Sequence, residues 1–83
     1  MNAKQMITAL NKQFPQLDPQ LTSDFYGREQ DIEGVWLRKA WAYDLSESVI
    51  ANGWENPLAD FIQSKGWFVE PYDSETFMAY NYQ

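Results

Sequence analysis

Acidic side chains are the residues of this chain with the clearest capacity for chemistry, because two carboxylates held together can act as general acid and general base. Two such pairs occur, Asp31 with Glu33 and Asp73 with Glu75. Neither pair lies in a recognised catalytic motif, and acids beside turns commonly serve as hydrogen-bond acceptors or solvated surface. We therefore expect both pairs to be surface acids.

The chain has no histidine and no cysteine among its 83 residues. Imidazole and thiolate supply most proton shuttles, activated nucleophiles and transition-metal sites, so these mechanisms are excluded. No serine lies in a nucleophile-elbow motif, and the acids of residues 24–33 do not follow the alternating pattern of an EF-hand. The sequence predicts a non-catalytic protein that needs no metal or cofactor.

Twelve acids against six bases give a net charge of −6. This charge disfavours direct binding to nucleic acid or to an anionic membrane, and it favours a partner protein with a basic surface. Two acidic stretches, residues 18–33 and 44–60, could imitate a phosphate track and occupy the basic groove of a nucleic-acid enzyme. The candidate contact acids are Asp24, Glu29, Asp31, Glu33, Asp44 and Glu47.

Aromatic residues make up 17% of the chain. Each ring buries about 150–250 Å², so a short chain can stabilise a core without disulfides. If helices cover only one side of the predicted sheet, rings of the C-terminal hairpin are exposed beside acids and form a protein-binding patch. The candidate aromatic contacts are Phe68, Tyr72 and Phe77.

Three alternatives remain open at this point. Helices could cover both faces of the sheet and bury every ring. The exposed hairpin face could instead close a homodimer through Phe68 and Phe77, since an antiparallel edge favours a two-fold contact. Small-molecule binding by stacking is the third alternative, with candidate rings at Trp36, Trp41, Trp54 and Tyr72.

Two helices are predicted to position these side chains. Apolar residues recur at helical spacing over residues 1–14, and Pro15 ends the pattern. Residues 57–65 follow Asn56 as N-cap, begin with a proline and stop at Gly66, which is the signature of a short helix. A capping box from Asp44 to Glu47 predicts a third, short helix that ends before Gly53.

The strands are predicted from β-branched and aromatic runs. Residues 21–26 form a candidate strand, residues 35–43 a central strand, and residues 67–82 an antiparallel hairpin with its turn at Asp73 and Ser74. This turn places Phe77 on the same face as Phe68 and Tyr72. The predicted core is Met6, Ile7, Leu10, Phe14, Val35, Leu37, Trp41, Leu58, Phe61, Ile62, Trp67, Val69, Met78 and Tyr80.

Together these elements predict a single α+β domain over residues 1–83. It has an N-terminal helix, an antiparallel sheet of three or four strands ending in the C-terminal hairpin, and the short helix 57–65 packed on the sheet. The first ten residues lack the pattern of a signal peptide, and no apolar run approaches the length of a membrane span. We therefore expect a cytoplasmic location.

The last third of the chain has a characteristic set of residues, Gly66, Trp67, Glu70, Tyr72, Asp73, Thr76, Met78 and Tyr80. This pattern resembles the C-terminal end of small uncharacterised bacterial and phage-type proteins, and Pro71 departs from the aromatic residue usual at its position. The resemblance implies no known activity, but it implies a phage or mobile-element origin. Such elements encode small acidic anti-CRISPR and antirestriction inhibitors, some of which mimic nucleic acid, and this analogy suggests the same role here.

Overall fold

A computed structural model describes residues 1–82 and shows two longer helices packed on one face of a four-stranded antiparallel sheet. The helices are α1 (Ala3–Gln13), α2 (Thr22–Tyr26), α3 (Glu47–Asn52) and α4 (Pro57–Ser64), and a 3₁₀ helix spans Ala40–Tyr43. The strands are β1 (Pro19–Leu21), β2 (Val35–Leu37), β3 (Phe68–Pro71) and β4 (Phe77–Tyr80), in the spatial order β1-β2-β4-β3. The predicted α+β architecture is confirmed.

Side-chain caps fix the starts of the two long helices. The side chain of Asn2 accepts a hydrogen bond from the amide of Gln5, whose own side chain bonds back to Asn2 in a capping box. Asn56 is 2% exposed, accepts from the Ala59 amide and donates to the Tyr43 carbonyl oxygen. The first of these bonds caps α4, and the second anchors its start to the 3₁₀ helix.

Helices α1 and α4 cover the same face of the sheet. Helix α1 packs on β1 and β2, whereas α4 packs on β3, so the two helices lie side by side across the strand order. Their buried side chains join those of the sheet in one apolar cluster that includes Met6, Leu10, Leu58, Ile62, Val35, Leu37, Phe77 and Ala79. The alternative with one of these helices on each face is therefore wrong.

The hairpin register differs by one residue from the predicted register. Pro71 pairs with Phe77 and Val69 pairs with Ala79, so five residues, 72–76, connect the strands. The loop is longer because the Asp73 carboxylate accepts the Glu75 amide at 2.9 Å and forms a local turn. The shift turns Phe77 into the core, at 2% exposure, and corrects its predicted place on the exposed face.

The predicted strand over residues 35–43 is wrong beyond Leu37. The chain turns after Leu37, and the following 3₁₀ helix directs the small residue Ala40 into the core while Trp41 points outward with 71% exposure. Trp41 therefore does not belong to the core. Strand β2 is central in the sheet, as expected, but it has only three residues.

Two other local predictions need correction. The predicted strand 21–26 is mostly helix α2, because buried Thr22 begins a helical turn in which its hydroxyl accepts the Gly34 amide. The cap of α3 is Ser46, whose hydroxyl accepts the Val49 amide, rather than Asp44. Asp44 instead ends the 3₁₀ helix with a positive φ of 60°.

The two edge strands both contain proline. Pro19 is the first residue of β1, and Pro71 is the last residue of β3. Strands β1 and β3 are the outer members of the sheet, so both prolines lie at positions where an amide donor is dispensable.

Candidate functional site: the aromatic face

The second face of the sheet, opposite α1 and α4, carries aromatic side chains. Cross-strand pairing sets Trp36 beside Met78 and Met78 beside Glu70, and it sets Phe68 beside Tyr80 in the next row. Because paired residues project to the same side of a sheet, these side chains share one surface.

Helix α2 adds two rings to this surface from above. The Phe25 ring centroid lies 5.1 Å from Trp36 and 4.9 Å from Tyr72, both in edge-to-face geometry. Tyr26 contacts Phe25 at 5.1 Å and Tyr72 at 6.0 Å. We call this surface the aromatic face, and its rings are Phe25, Tyr26, Trp36, Phe68, Tyr72, Tyr80 and Tyr82.

Much of the aromatic face is open to solvent. Phe68 is 53% exposed, Tyr72 55% and Tyr82 52%, although Met78 beneath them is buried. Large aromatic side chains grouped with this exposure are typical of interaction surfaces, since a soluble chain otherwise buries them.

A hydrogen bond joins a tyrosine to a carboxylate at the β3 edge of the aromatic face. The Tyr82 hydroxyl donates to the Glu70 carboxylate, and this bond raises the pKa of Tyr82 to about 12. Burial raises the pKa of Tyr80 to about 12, with a further contribution from the neighbouring Tyr26. Both tyrosines are neutral at physiological pH, and the Tyr82 hydroxyl holds Glu70 beside the rings.

A cation of the chain itself occupies the opposite, β1 end of the aromatic face. The Arg38 guanidinium bonds Asp18 at 2.5 Å and lies 5.9 Å from the centroid of the Trp36 ring. This hydrogen bond, with a second from Gln20, lowers the pKa of Asp18. A guanidinium held between a carboxylate and a ring is thus part of this surface.

The six predicted contact acids lie in two groups. Asp24 is in the first turn of α2, and the loop that leads into β2 carries Glu29, Asp31 and Glu33. Asp44 and Glu47 follow β2, at the end of the 3₁₀ helix and the start of α3. The first group precedes β2 and the second group follows it. The two groups therefore lie toward opposite ends of this strand.

Glu33 has a structural role within the first group. Its carboxylate accepts the Ser23 hydroxyl at 2.7 Å and the Ser23 amide at 3.3 Å, near the start of α2. Glu29 and Glu33 border an open depression beside the start of α1. Asp24, Glu29 and Asp31 are exposed and remain available for contact.

Of the two acidic pairs, the pair in the hairpin has a carboxyl group with a shifted pKa. Asp73 and Glu75 form the hairpin turn, where the Glu75 amide lowers the pKa of Asp73. A carboxyl group with a lowered pKa is a weaker base, which is unfavourable for general-base chemistry near neutral pH. Within residues 1–82, no group of three or more acids has the arrangement of a metal site.

Sequence reasoning identified Phe68 and Tyr72 but missed Phe25, Tyr26, Tyr80, Tyr82 and Glu70 as members of the aromatic face. The sequence pattern places Tyr80 in the core because it predicts a hairpin register that differs by one residue from the observed one. Phe25 and Tyr26 were assigned to a strand, and helix α2 is what carries them over the sheet. Trp36 and Tyr72 both contact Phe25, whereas Trp41 lies outside this ring network, on the 3₁₀ helix.

Comparison with protein-family models, curated proteins and solved structures found no match to this chain. Among residues 1–82, no helix has the length and apolar character needed to cross a membrane.

Proposed function

We propose that this protein is a non-catalytic binding module that presents its aromatic face to a basic surface of a partner protein. The observation that carries the proposal is the uncovered aromatic face, in which Phe68, Tyr72 and Tyr82 are each about half exposed. Both long helices pack on the other face, so these rings are not needed to complete the core formed there.

The charge of the chain supports a basic partner over a second copy of itself. The net charge is −6, and the exposed acids Glu70, Asp73 and Glu75 border the aromatic face on the hairpin. Two copies meeting through this face would bring these acids together, which is unfavourable, whereas a basic partner would be attracted to them.

The partner in this proposal is a nucleic-acid-processing or defence complex. Such complexes have basic grooves, and an acidic protein bound there blocks the nucleic acid. Asp24, Glu29 and Asp31 extend the negative potential beyond the aromatic face at one end of β2, and Asp44 and Glu47 do so at the other. These acids provide attraction at long range, while the rings provide the contact area.

Site-specific photocrosslinking in cells that express the protein tests the proposal. A photoreactive phenylalanine analogue at Phe68 should crosslink a basic protein, whereas the same analogue at Trp41 should not. Trp41 is the matched control because it is also exposed, at 71%, but lies on the 3₁₀ helix. In a lysate of the same cells, crosslinking should fall as salt is added, because charge attraction between exposed groups is screened over about 10 Å at 0.1 M ionic strength.

Equal crosslinking from both positions, or none from Phe68, would contradict the proposal. Sedimentation of the purified protein distinguishes the homodimer alternative. We expect a monomer at tens of micromolar, and a dimer that Phe68→Ser dissociates would favour self-association instead.

A further inference from the structure

A cavity of about 320 Å³ opens at the β3 edge of the aromatic face. It lies at the lower end of the range for small-molecule pockets, about 300–1,000 Å³, so it suits a side-chain head group better than a large cofactor. Its lining consists of three tyrosines, one carboxylate, a methionine and a proline, which are Tyr26, Tyr72, Tyr80, Glu70, Met78 and Pro71.

The rings of the cavity form walls at an angle. The planes of Tyr26 and Tyr72 are inclined by 73° with centroids 6.0 Å apart, and Phe25 supports Tyr72 from behind at 4.9 Å. The third ring, Tyr80, lines the same cavity and stacks on Tyr82 at 5.6 Å. The walls are thus held in place before any ligand arrives, which lowers the entropic cost of binding.

A carboxylate completes the cavity. Glu70 lies among the rings on β3, and the hydroxyl of Tyr82, stacked on Tyr80 at 5.6 Å, donates to it. Faces of aromatic rings attract cations through their quadrupole, and a nearby carboxylate adds direct charge attraction. The combination selects a cation that also has apolar surface, as an alkylammonium or guanidinium group does.

The other end of the same face shows this recognition within the chain. There Arg38 lies between the Asp18 carboxylate and the Trp36 ring. The β3 end also has a carboxylate beside aromatic rings, and there Glu70 accepts a hydrogen bond from the neutral hydroxyl of Tyr82. The β3 end thus has the kinds of groups that bind Arg38 at the β1 end. No cation from residues 1–82 is bound to Glu70 there.

We propose that Tyr26, Tyr72, Tyr80 and Glu70 form an aromatic cage that binds an arginine side chain of the partner protein. Arginine is favoured over lysine because its planar guanidinium stacks on rings and can bond a carboxylate with two hydrogens at once. This inference rests on the proposed function, since it names the partner group that enters the aromatic face.

Nuclear magnetic resonance titration of the full chain with two small probes tests the cage. N-acetyl-arginine amide should shift the amide signals of Glu70, Tyr72 and Tyr80 in a saturable way, with a millimolar dissociation constant. N-acetyl-citrulline amide has nearly the same shape but no charge, so it should bind about tenfold more weakly or not at all. Equal binding of the two probes would overturn the cage.

A pair of charge variants separates the cage from general attraction. Glu70→Gln should weaken binding of the arginine probe by about three- to tenfold, whereas Glu75→Gln should leave it within about twofold. Both changes remove one negative charge, and Glu75 lies in the hairpin loop outside the cavity lining. An equal loss in both variants would overturn the cage, because it would reveal attraction to the net charge alone.

The two proposals fail in different experiments. If the arginine probe does not bind but Phe68 still crosslinks a basic protein, the cage is wrong and the binding module stands. If the probe binds with the expected dependence on Glu70 but Phe68 crosslinks no partner, the cage stands as a cation site and the binding module is wrong.

Discussion

The ring of Tyr80 lies directly against Gly34, where the chain enters β2. A Cβ atom at this glycine would come within 2.5 Å of Tyr80 Cδ1 and within 2.5 Å of the Ala79 carbonyl oxygen. The carbonyl belongs to the backbone of β4 and cannot rotate away. Gly34 is therefore required by the close approach of β4, whereas Gly53 is required by its positive φ of 63°.

Gly34→Ala should lower the free energy of unfolding by about 1–3 kcal/mol, because the methyl group overpacks a closed site. Gly53→Ala should cost about 1 kcal/mol for its left-handed backbone, and Gly53→Asn should recover part of that cost. Urea denaturation measures all three variants. A Gly34→Ala midpoint equal to that of the wild type would show that β4 does not lie where we describe it.

The hairpin register predicts opposite effects of two phenylalanine substitutions. Phe77→Ala should cost about 3–5 kcal/mol because Phe77 is buried in the core, and for so small a domain this loss could abolish folding. Phe68→Ala should cost less than about 1 kcal/mol because that ring is half exposed. Thermal unfolding followed by circular dichroism checks both. A larger loss for Phe68→Ala would indicate that the register is shifted by one residue.

The caps of α4 and α3 should differ in strength. Asn56→Ala removes a cap and leaves the Tyr43 carbonyl oxygen without its bond in a partly buried place, so we expect a loss of about 2 kcal/mol. Ser46→Ala removes an exposed cap, and we expect about 1 kcal/mol or less. Urea denaturation of the pair tests this ranking. Equal losses would contradict a buried role for Asn56.

The raised pKa values of Tyr80 and Tyr82 predict a loss of stability at high pH. Both values are about 12, above the ordinary 10.0, so the folded chain holds these protons more tightly than the unfolded chain does. The stabilisation is complete below pH 10.0 and disappears as the pH rises toward 12. Tyrosinate absorbance of the folded protein should show two late-titrating groups.

Tyr82→Phe is the control for this pH dependence. It removes one of the late-titrating groups and should reduce the decline in stability between pH 10 and 12, measured by urea denaturation at each pH. Ionisation of all five tyrosines near the ordinary value would contradict the hydrogen bond from Tyr82 to Glu70.

Residues with strong local signals were predictable from the sequence. Asn56 with Pro57, and the apolar spacing that ends at Pro15, locate α4 and α1 because caps and prolines act over a few residues. The registers and turns were not predictable in the same way. The bond from the Glu75 amide to Asp73 lengthens the hairpin loop, and that single change moves Phe77 into the core and Tyr80 out of it.

The aromatic face was predictable only in part, because it too depends on individual hydrogen bonds between residues. Phe68 and Tyr72 belong to the hairpin, where alternation suggested exposure. Phe25 and Tyr26 reach the sheet through α2, which depends on the bond from the Gly34 amide to the Thr22 hydroxyl, twelve residues away in sequence. A contact between residues twelve apart produces no periodic pattern in a single sequence, so sequence periodicity does not reveal it.

The prolines at the two sheet edges determine how other molecules can approach. Pro19 and Pro71 interrupt the row of amide donors on β1 and β3, and both strands are short. An added strand would therefore find an incomplete hydrogen-bonding template at either edge. We expect the protein to resist fibril formation at high concentration despite its many exposed rings, and to recognise other molecules through its side chains.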